Sequence, residues 1–514
     1  MICQVGTTKI DTMRDKHIGI SKSRYTLFCQ CPKALWLKTY RPEEAVVSDA
    51  LQQRFEAGDA VGDLAMGLFG EFIEVTAYTS EGRLDLVKMA EDTKICMEAG
   101  VEVICEASFF FDGGYCAVDI LKKENGGYAI YEVKSSTDAD KEVYAQDVAY
   151  QKYVLTGCGV KVTGTYLICI DSDYVLEGEL DIHGLFNIED ISKAVADESL
   201  LVESQVAAAK KMLAQVEEEP KIDLAIHSHK PYDCAFWQYC SQHLPKKSVF
   251  SLYRMNFDKK IEYYQQGIIT YEQLRAEDLN EKQRIQIDCN LDDNIYINKV
   301  EIAKFLDRLS YPLFFLDFET MQPVVPEYQG THPYQQIPFQ YSLHYVEEPG
   351  GELKHKEFLG ISDEDPRRAL AEQLCRDIPM NVCVTAYNKA FECTRLRELA
   401  ETYPDLSEHL LNIRDNIIDL LVPFQSGWFY VPAMGGSFSI KSVLPALFPD
   451  DPELDYHNLQ GSVHNGGEAM SIFPKIKDMP FEEQQAARQS LLKYCELDTY
   501  AMVKVWEKLR EAAR

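Results

Sequence analysis

The sequence predicts an α/β protein of two domains that are joined by a helical connector. The chain has 514 residues, which is more than one ordinary hydrophobic core accommodates. Strand-like segments with Gly-rich turns lie at about residues 100–135, and a second group of strands begins near residue 311 with YPLFFLDFET. Helical periodicity dominates the polar segment between them, at about 249–308. Together these observations favour two separate α/β cores.

The composition excludes some classes of protein and leaves others open. The hydrophobic fraction is 46%, no apolar run is long enough to span a bilayer, and the first residues lack the apolar core of a signal peptide. We therefore expect a cytoplasmic protein without a membrane partner. The net charge of −30 argues against a protein that coats nucleic acid, because the summed field repels phosphate. Clustered acids can instead bind divalent cations.

The pattern along the chain sets the predicted boundaries. Helices are expected at 18–65, 141–156, 189–217 and 482–512, with a strand in VTGTYLICID. The irregular segment HSHKPYDCAFWQYCSQHLPKK marks a domain edge. We assign an N-terminal extension, an N-terminal domain, a helical connector and a C-terminal domain to residues 1–17, 18–245, 246–308 and 309–514, respectively.

The apolar strand near residue 311 carries two carboxylates, Asp317 and Glu319. Period-two alternation places both side chains on the same face. Two acids held side by side in an apolar setting repel each other unless a cation lies between them. The alternative is a strand end with exposed acids.

Two further motifs follow in the C-terminal half. Asn388 lies at a strand-to-helix turn, with Glu392 in the first helical turn, and Tyr494 and Asp498 stand four residues apart on the final helix. This order of D-x-E, N-x3-E and Y-x3-D resembles the DEDD (DnaQ-like) exonuclease superfamily, over about residues 309–514. The resemblance implies a ribonuclease-H-like fold.

The resemblance also implies two-metal hydrolysis of phosphodiester bonds. Asp317, Glu319 and Asp498 would hold two Mg2+ or Mn2+ ions, and Tyr494 would orient or help deprotonate the attacking water. Asn388 would contact the substrate or the neighbouring backbone.

The C-terminal half departs from the superfamily pattern at one position, and one of its loop segments has two possible roles. Glu392 stands where the superfamily has Asp, and its longer side chain can still reach a metal; Asp415 and Asp419 are the alternatives for this acid. The segment FYVPAMGGSFSIKSVLPALFP contains Lys441 and combines aromatics with a Gly-Gly turn. It either lines a groove for single-stranded nucleic acid or packs on the core.

The N-terminal domain contains a second acidic pattern. Asp119 ends one strand, and Glu132 and Lys134 share one face of the next, an arrangement that suits metal-dependent hydrolysis. The alternative is a solvent-facing hairpin of mixed charge. The pattern resembles the PD-(D/E)XK nuclease superfamily, in particular RecB-like and CRISPR-associated exonucleases, over about residues 18–245. The resemblance implies a restriction-endonuclease-like fold, with a metal ion on Asp119 and Glu132.

Further segments carry the same resemblance. SKSRYTLFCQCPKALWL is similar to the opening of that group, and the helix after the E-x-K strand offers Gln146, Gln151 as a catalytic residue and Tyr150 as a substrate contact. The histidine that many relatives use as a metal ligand is absent, so Asp59 or Asp63 would have to replace it.

The 15 cysteines lie largely in apolar stretches, which indicates reduced thiols. Cys31 and the adjacent Cys29 precede the nuclease core, whereas Cys234 and Cys240 follow it. The resemblance implies that such cysteines hold a four-iron–four-sulfur (4Fe–4S) cluster. Only two cysteines follow the core here, so the fourth ligand would be Cys29 or a histidine of the HSH segment, His227 or His229. Zinc and the absence of any metal remain alternatives.

Nearly the full chain resembles a family of bacterial proteins that join a RecB-like nuclease to a DEDD nuclease. This resemblance implies a deoxyribonuclease that acts on single strands or DNA ends in DNA repair or in defence against foreign DNA. It also implies a helicase, or another repair or defence protein, as a partner. Two rivals remain, an RNA-directed exonuclease and a nucleic-acid-binding scaffold with one or both sites inactive. The candidate phosphate contacts are Lys122, Lys123, Lys134, Lys246 and Lys247.

Overall fold

The structure is a computed structural model that describes residues 19–46, 58–137, 140–215, 218–459 and 461–514. The predicted N-terminal extension lies outside the described residues. The chain forms two compact units. Unit 1 comprises Met1–His243 and Val324–Tyr334, and unit 2 comprises Leu244–Pro323 and Gln335–Arg514.

Unit 1 is built on a mixed seven-stranded sheet. Its strands are β1 (Ile20–Ser21), β2 (Ile73–Glu74), β3 (Val103–Phe111), β4 (Gly114–Glu124), β5 (Gly127–Lys134), β6 (Val162–Ile170) and β7 (Phe186–Asp190). They are ordered β2-β3-β4-β5-β6-β7, and β1 pairs with β4. The β5–β6 pair is parallel, whereas the β3–β4 and β4–β5 pairs are antiparallel hairpins, as the DGG and ENGG turns predict.

Helices cover both faces of this sheet. They are α1 (Lys22–Gln30), α2 (Pro32–Tyr40), α3 (Leu86–Ala99), α4 (Lys141–Gly157), α5 (Ile182–Leu185), α6 (Ser192–Leu213) and α7 (Trp237–Ser241), and residues 58–65 are also helical. One apolar core lies between the sheet and α4 and α6. A second core contains the helical Val61 and Ala65, against which Val324 and Val325 pack.

Unit 2 is built on a five-stranded sheet. Its strands are β9 (Leu313–Met321), β10 (Ile337–Val346), β11 (Leu353–Leu359), β12 (Cys383–Ala386) and β13 (Ile417–Asp419), and a separate pair consists of β8 (Tyr296–Ile297) and β14 (Phe429–Tyr430). The sheet order is β11-β10-β9-β12-β13. The first three strands are antiparallel, and β9, β12 and β13 are parallel.

The helices of unit 2 are α8 (Phe257–Gln265), α9 (Tyr271–Leu274), α10 (Glu281–Leu291), α11 (Lys299–Leu306), α12 (Pro366–Asp377), α13 (Ala390–Thr402), α14 (Ser407–Asp415), α15 (Val422–Gln425), α16 (Ile440–Leu447), α17 (Gly466–Ile472) and α18 (Phe481–Ala513). Helix α18 packs on β9 and β10, where Trp506 contacts Phe315 at 5.7 Å between ring centroids. The predicted connector is part of this compact unit.

The mixed α/β class is confirmed, and three local expectations change. The helix expected at 18–65 breaks at Cys31, because Pro32 forces the residue before it into an extended conformation (φ −157°, ψ 110°). The helix expected from 189 begins at Ser192, since β7 pairs with β6 up to Asp190. The final helix is confirmed, but β10 and β11 were not predicted. Within the described ranges, no helix is both long and apolar enough to cross a membrane.

Candidate functional site

The first candidate site lies where β9 meets α18 in unit 2. Asp317 and Glu319 lie on β9, and they present carboxylate oxygens within 4.8 Å of each other and of the Cys495 sulfur. The Cys495 thiol of α18 donates to Asp317 Oδ2 at 3.7 Å. Asp498 follows one helical turn after Tyr494, so both side chains lie on the face of α18 that meets the strand.

The carboxylates of this site repel one another. Burial, followed by the charges of Asp498, Glu319 and Glu392, raises the pKa of Asp317 well above its ordinary value. Burial and the charge of Asp498 raise the pKa of Glu319 to about 8, although Lys441 opposes the shift. Burial also raises the pKa of Asp498. The arrangement therefore holds more negative charge than its surroundings neutralise.

Glu392 brings a fourth carboxylate from the first turn of α13. Its side chain is 2% exposed, and its Oε2 atom has no hydrogen-bond partner among the described residues. Burial, with a contribution from Asp419, raises its pKa to about 8. A buried acceptor without a partner costs about 1–3 kcal/mol, which a bound cation or water would recover.

The other candidates for this acid have local roles. Asp419 accepts from the backbone N–H groups of Asn388 and Leu421, both at 2.9 Å, so it fixes the turn after β12. Asp415 is exposed and pairs with Arg414 at 2.7 Å. Asn388 is exposed and adopts a left-handed backbone conformation with φ of 68°, which leaves its side chain open to solvent. The structure therefore brings Glu392, rather than Asp415, into the carboxylate group.

Two tyrosines and one lysine complete the arrangement. The Tyr456 hydroxyl donates to Asp498 Oδ1 at 2.6 Å, a contact that the sequence patterns did not reveal. Lys441 Nζ donates to the Tyr494 hydroxyl at 3.0 Å and lies 5.4 Å from the centre of the Tyr456 ring. The Tyr494 hydroxyl in turn bonds to Asp498. Burial and the charges of Asp498 and Glu319 raise the pKa of Tyr494 far above its ordinary value, so the phenol stays protonated.

The second candidate site lies at the end of β5 in unit 1. Glu132 is 1% exposed, and its Oε1 atom accepts from Lys22 and Lys134, both at 2.7 Å. Gln151 of α4 donates to Glu132 Oε2 at 2.5 Å. The second ammonium contact of Lys134 is Asp147 Oδ2, at 2.6 Å. Glu132 is therefore enclosed by donors.

Asp119 and Glu106 lie beside this cluster. Asp119 lies in the middle of β4 rather than at the strand end that the sequence predicts, and its Oδ2 atom accepts from the backbone N–H of Val133, the residue after Glu132, at 2.7 Å. Burial and the charge of Glu132 raise the pKa of Asp119 to about 6. Glu106 occupies β3 with a left-handed φ of 56°, and burial followed by the charge of Asp119 raises its pKa to about 7.

The lysines change the balance of charge around Glu132. Burial alone would raise the pKa of Glu132, but Lys134 and Lys22 lower it to about 2. Burial lowers the pKa of each lysine, and the surrounding acids more than offset this effect. Lys22 and Glu106 were not singled out in the sequence, because neither lies in the D-x(n)-E-x-K pattern.

Several predicted residues of unit 1 are placed away from a substrate-accessible position. Tyr150 is fully buried, its hydroxyl donates to the Ile20 carbonyl at 2.5 Å, and its ring stacks on Tyr25. This placement does not support substrate contact by Tyr150, because packing against β1 and α1 uses the whole side chain. Asp59 and Asp63 are exposed and make none of the hydrogen bonds that hold Glu132.

The candidate phosphate contacts differ in their surroundings. Lys123 and Lys246 are exposed, whereas Lys122 pairs with Glu124 at 3.2 Å and lies 4.8 Å from the centre of the Phe69 ring. Lys247 donates to the Asn290 carbonyl at 3.1 Å. Lys123, Lys246 and Lys247 are thus the exposed members of this set.

The cysteines separate into two groups. Cys31, Cys234 and Cys240 line one small cavity, together with His227. Burial raises the pKa of all three thiols, which for Cys240 reaches about 11. Burial lowers the pKa of His227, so its imidazole is neutral and can act as a ligand.

Cys29 and His229 are placed elsewhere. The Cys29 sulfur lies 3.6 Å from Gln205 Oε1 and packs against the core between the sheet and α4 and α6. His229 pairs with Asp233 on the surface. Cys29 therefore does not line this cavity, whereas His227 does.

Comparisons with known proteins give limited information. A family model described as "Domain of unknown function (DUF2779)" matches residues 314–439, which include Asp317, Glu319 and Glu392 but end before Tyr494. "Uncharacterized protein UU173" of Ureaplasma parvum serovar 3 is 25% identical over 237 residues, which cover 41% of this chain and 33% of that protein. The chain thus matches about a third of that relative's length.

One solved structure is also similar to part of the chain. It is described as "Crystal structure of SSO0001", is 12% identical, and covers 47% of this chain and 98% of its own. The TM-score is 0.24, and at this value the likeness supports no inference about fold or function.

Proposed function

We propose that this protein is a metal-dependent nuclease with two active centres, which hydrolyses phosphodiester bonds in DNA single strands or ends. The observation that carries the proposal is the buried carboxylate group of unit 2, formed by Asp317, Glu319, Glu392 and Asp498. Like charges gathered in an apolar environment are unfavourable unless cations neutralise them. Phosphodiester hydrolysis by hard divalent cations uses such a set of oxygen ligands.

The donor set of unit 2 fits Mg2+ or Mn2+. Asp317, Glu319 and Asp498 would hold two ions, and the unpartnered Oε2 atom of Glu392 offers a further oxygen. The ions, when bound, activate water and stabilise the leaving oxygen. The raised pKa values of these carboxyls mean that metal binding releases protons, so the affinity for metal rises with pH.

Tyr494 and Lys441 would act on the water and the substrate. The Tyr494 hydroxyl accepts from Lys441 at 3.0 Å beside the carboxylates, a position from which it would orient the attacking water. Lys441 is exposed next to this hydroxyl, where its ammonium group can contact a phosphate.

The centre in unit 1 would use Asp119 and Glu132 as metal ligands, and Lys134 to polarise the attacking water or the phosphate. In this arrangement Lys22 occupies a Glu132 oxygen, so metal binding requires Lys22 to move. The buried Oε1 atom of Gln151 has no partner among the described residues, which leaves an acceptor for a metal-bound water.

Separate substitutions in the two centres test the proposal. In a Glu132→Ala background, which lacks the centre of unit 1, Asp317→Ala is expected to lower Mg2+-dependent hydrolysis of labelled single-stranded DNA about 1,000-fold, because it removes several kcal/mol of transition-state stabilisation. Glu132→Ala alone should remove the hydrolysis that the centre of unit 1 contributes. The matched control is Asp415→Ala, which removes an exposed carboxylate of the same unit.

Each outcome of this assay has one interpretation. If neither substitution lowers hydrolysis, both active centres are wrong. If only Asp317→Ala does, unit 1 is a nucleic-acid-binding scaffold. The same assay with RNA of identical sequence distinguishes the substrates, and preferential cleavage of RNA would contradict the DNA assignment. End-blocked substrates show whether cleavage begins at ends.

The cysteine cavity is proposed to hold a 4Fe–4S cluster with Cys31, Cys234, Cys240 and His227 as ligands. Protein purified without oxygen should then be brown with bound iron, and Cys234→Ser should lose both properties. Cys29→Ser is the matched control, because Cys29 lies outside the cavity. Colourless protein without iron would contradict the cluster.

A further inference from the structure

A different group of metal-binding side chains lies on β10, β11 and α18 of unit 2. His344 and His355 are direct cross-strand partners, with ring centroids 4.5 Å apart. Glu496 lies on α18, and its Oε1 atom is 3.9 Å from His355 Nδ1. One ligand atom from each of these three residues lies within 4.8 Å of the other two. The proposed nuclease centre uses none of them.

A hydrogen-bond network determines which imidazole nitrogens carry protons. The Thr499 hydroxyl donates to the Glu496 carbonyl at 3.1 Å, and a carbonyl can only accept. Thr499 has one proton, so it must accept from His344 Nδ1 at 2.8 Å and from the Ser342 hydroxyl at 2.7 Å. Ser342 has then used its proton and accepts from His355 Nε2 at 2.9 Å.

The consequence is that each ring keeps a nitrogen lone pair. His344 donates from Nδ1, so the neutral form of its ring has the lone pair on Nε2; His355 donates from Nε2, so the neutral form of its ring has the lone pair on Nδ1, which faces Glu496. Hydrogen bonds that fix the tautomer of a histidine in this way are the usual outer contacts of metal ligands.

We propose that His344, His355 and Glu496 bind one Zn2+ ion. Two imidazole nitrogens and one carboxylate oxygen are a set of ligands that suits zinc, with a fourth position for water or another carboxylate. Glu357 is a neighbouring candidate, because it follows His355 by two residues and therefore lies on the same face of β11. The present separations of up to 4.8 Å require small side-chain rotations to reach zinc–ligand bonds of about 2.1 Å.

The ion would connect three elements of unit 2. β11 is an edge strand, bonded only to β10 within the sheet, and α18 carries Tyr494 and Asp498 at its centre. A zinc ion on His355 and Glu496 would join the edge strand to this helix. Its role would be structural, and it does not depend on the nuclease activity proposed above.

The test measures zinc in the full-length protein. Chelator-treated protein is incubated with Zn2+, excess metal is removed by gel filtration, and bound zinc is measured by mass spectrometry. Because Cys31, Cys234 and Asp317 could also bind zinc, the informative quantity is the difference between variants. Glu496→Ala and His355→Ala should each bind about one zinc ion fewer per chain than the wild type.

The matched control is Glu507→Ala, which removes another exposed carboxylate of α18. This variant should retain the wild-type zinc content, and zinc should raise its Tm and that of the wild type by about 5 °C. Both informative variants are expected to fold, since Glu496 is 50% exposed and His355 is 23% exposed. Equal zinc content in the wild type and in either folded variant would overturn the proposal.

Discussion

The two acidic clusters of this protein differ in how their charge is balanced. In unit 1, Glu132 is held by two lysines and a glutamine, and its pKa is lowered to about 2. In unit 2, Asp317 and Glu319 face further carboxylates, and burial together with this repulsion raises their pKa values. The two units therefore hold buried carboxylates in two different electrostatic environments. One cluster is neutralised by neighbouring lysines, whereas the carboxylates of the other repel one another.

This difference predicts opposite responses to metal. A cation entering unit 2 relieves repulsion, so it should stabilise that unit strongly. A cation entering unit 1 must first displace Lys22, so part of its binding free energy is lost.

The largest expected effect is on unit 1. Glu132→Gln should lower its free energy of unfolding by about 3 kcal/mol in the presence of chelator, because it leaves two buried ammonium groups without their shared anion. Calorimetry should show the transition of unit 1 about 8 °C lower. Glu189→Gln, at an exposed pair with Lys141, is the control and should change little. An unchanged transition would show that the lysines do not need Glu132.

The pH dependence of the stability of the metal-free protein should distinguish the two clusters. The folded-state pKa values of Glu319 and Glu392 are raised to about 8, so the folded state binds more protons than the unfolded state between about pH 4.5 and 8. Unit 2 therefore loses stability as pH rises through this range. Glu132 has a depressed pKa, so its contribution is present above about pH 4.5 and is lost as pH falls toward 2.

Calorimetry in chelator measures the predicted loss of stability above neutral pH. Between pH 6.5 and 8.5 the transition of unit 2 should fall by about 5 °C, and Mg2+ should reduce this fall. Glu106 in unit 1 has a pKa of about 7, so the temperature of the unfolding transition of unit 1 should fall by less over the same pH range. A transition of unit 2 that rises with pH would contradict the assigned direction of these shifts.

The smallest expected effect has the opposite sign to the first. Asp317→Asn should raise the free energy of unfolding of unit 2 by about 1 kcal/mol without metal, because it removes one member of a repelling group. The corresponding rise in Tm is about 3 °C, and added Mg2+ should stabilise this variant less than the wild type. Asp415→Asn serves as the control. If Asp317→Asn is destabilising in chelator, repulsion among the carboxylates does not destabilise the folded state.

Sequence patterns predict the parts of the fold and of the candidate site that depend on local periodicity. Strand alternation places Asp317 and Glu319 together, and helical spacing places Tyr494 next to Asp498. Tyr456 and Lys22 come from segments without such a signal, and only tertiary packing brings them to the acids.

The placement of other residues could not be predicted from these patterns, for different physical reasons. Helical spacing identifies neighbours of Tyr150 but does not show which face of α4 is buried, so it cannot distinguish a substrate contact from the core packing that Tyr150 makes. The pairing of His344 with His355 depends on β10 and β11, which the sequence analysis did not identify as strands. Spacing also could not choose between Cys29 and His227, because side-chain direction decides which of them lines the cavity.

The segment Val324–Tyr334 has a consequence for how the protein is made. It belongs to compact unit 1, where Gly330 donates to the Leu176 carbonyl at 2.8 Å and Gln329 donates to the Gly178 carbonyl at 2.8 Å. A ribosome delivers this segment only after the connector helices and β9 have been synthesised. Residues 1–243 alone would lack these hydrogen-bond partners, so we expect an N-terminal fragment that ends at this edge to be less stable than unit 1 of the full chain.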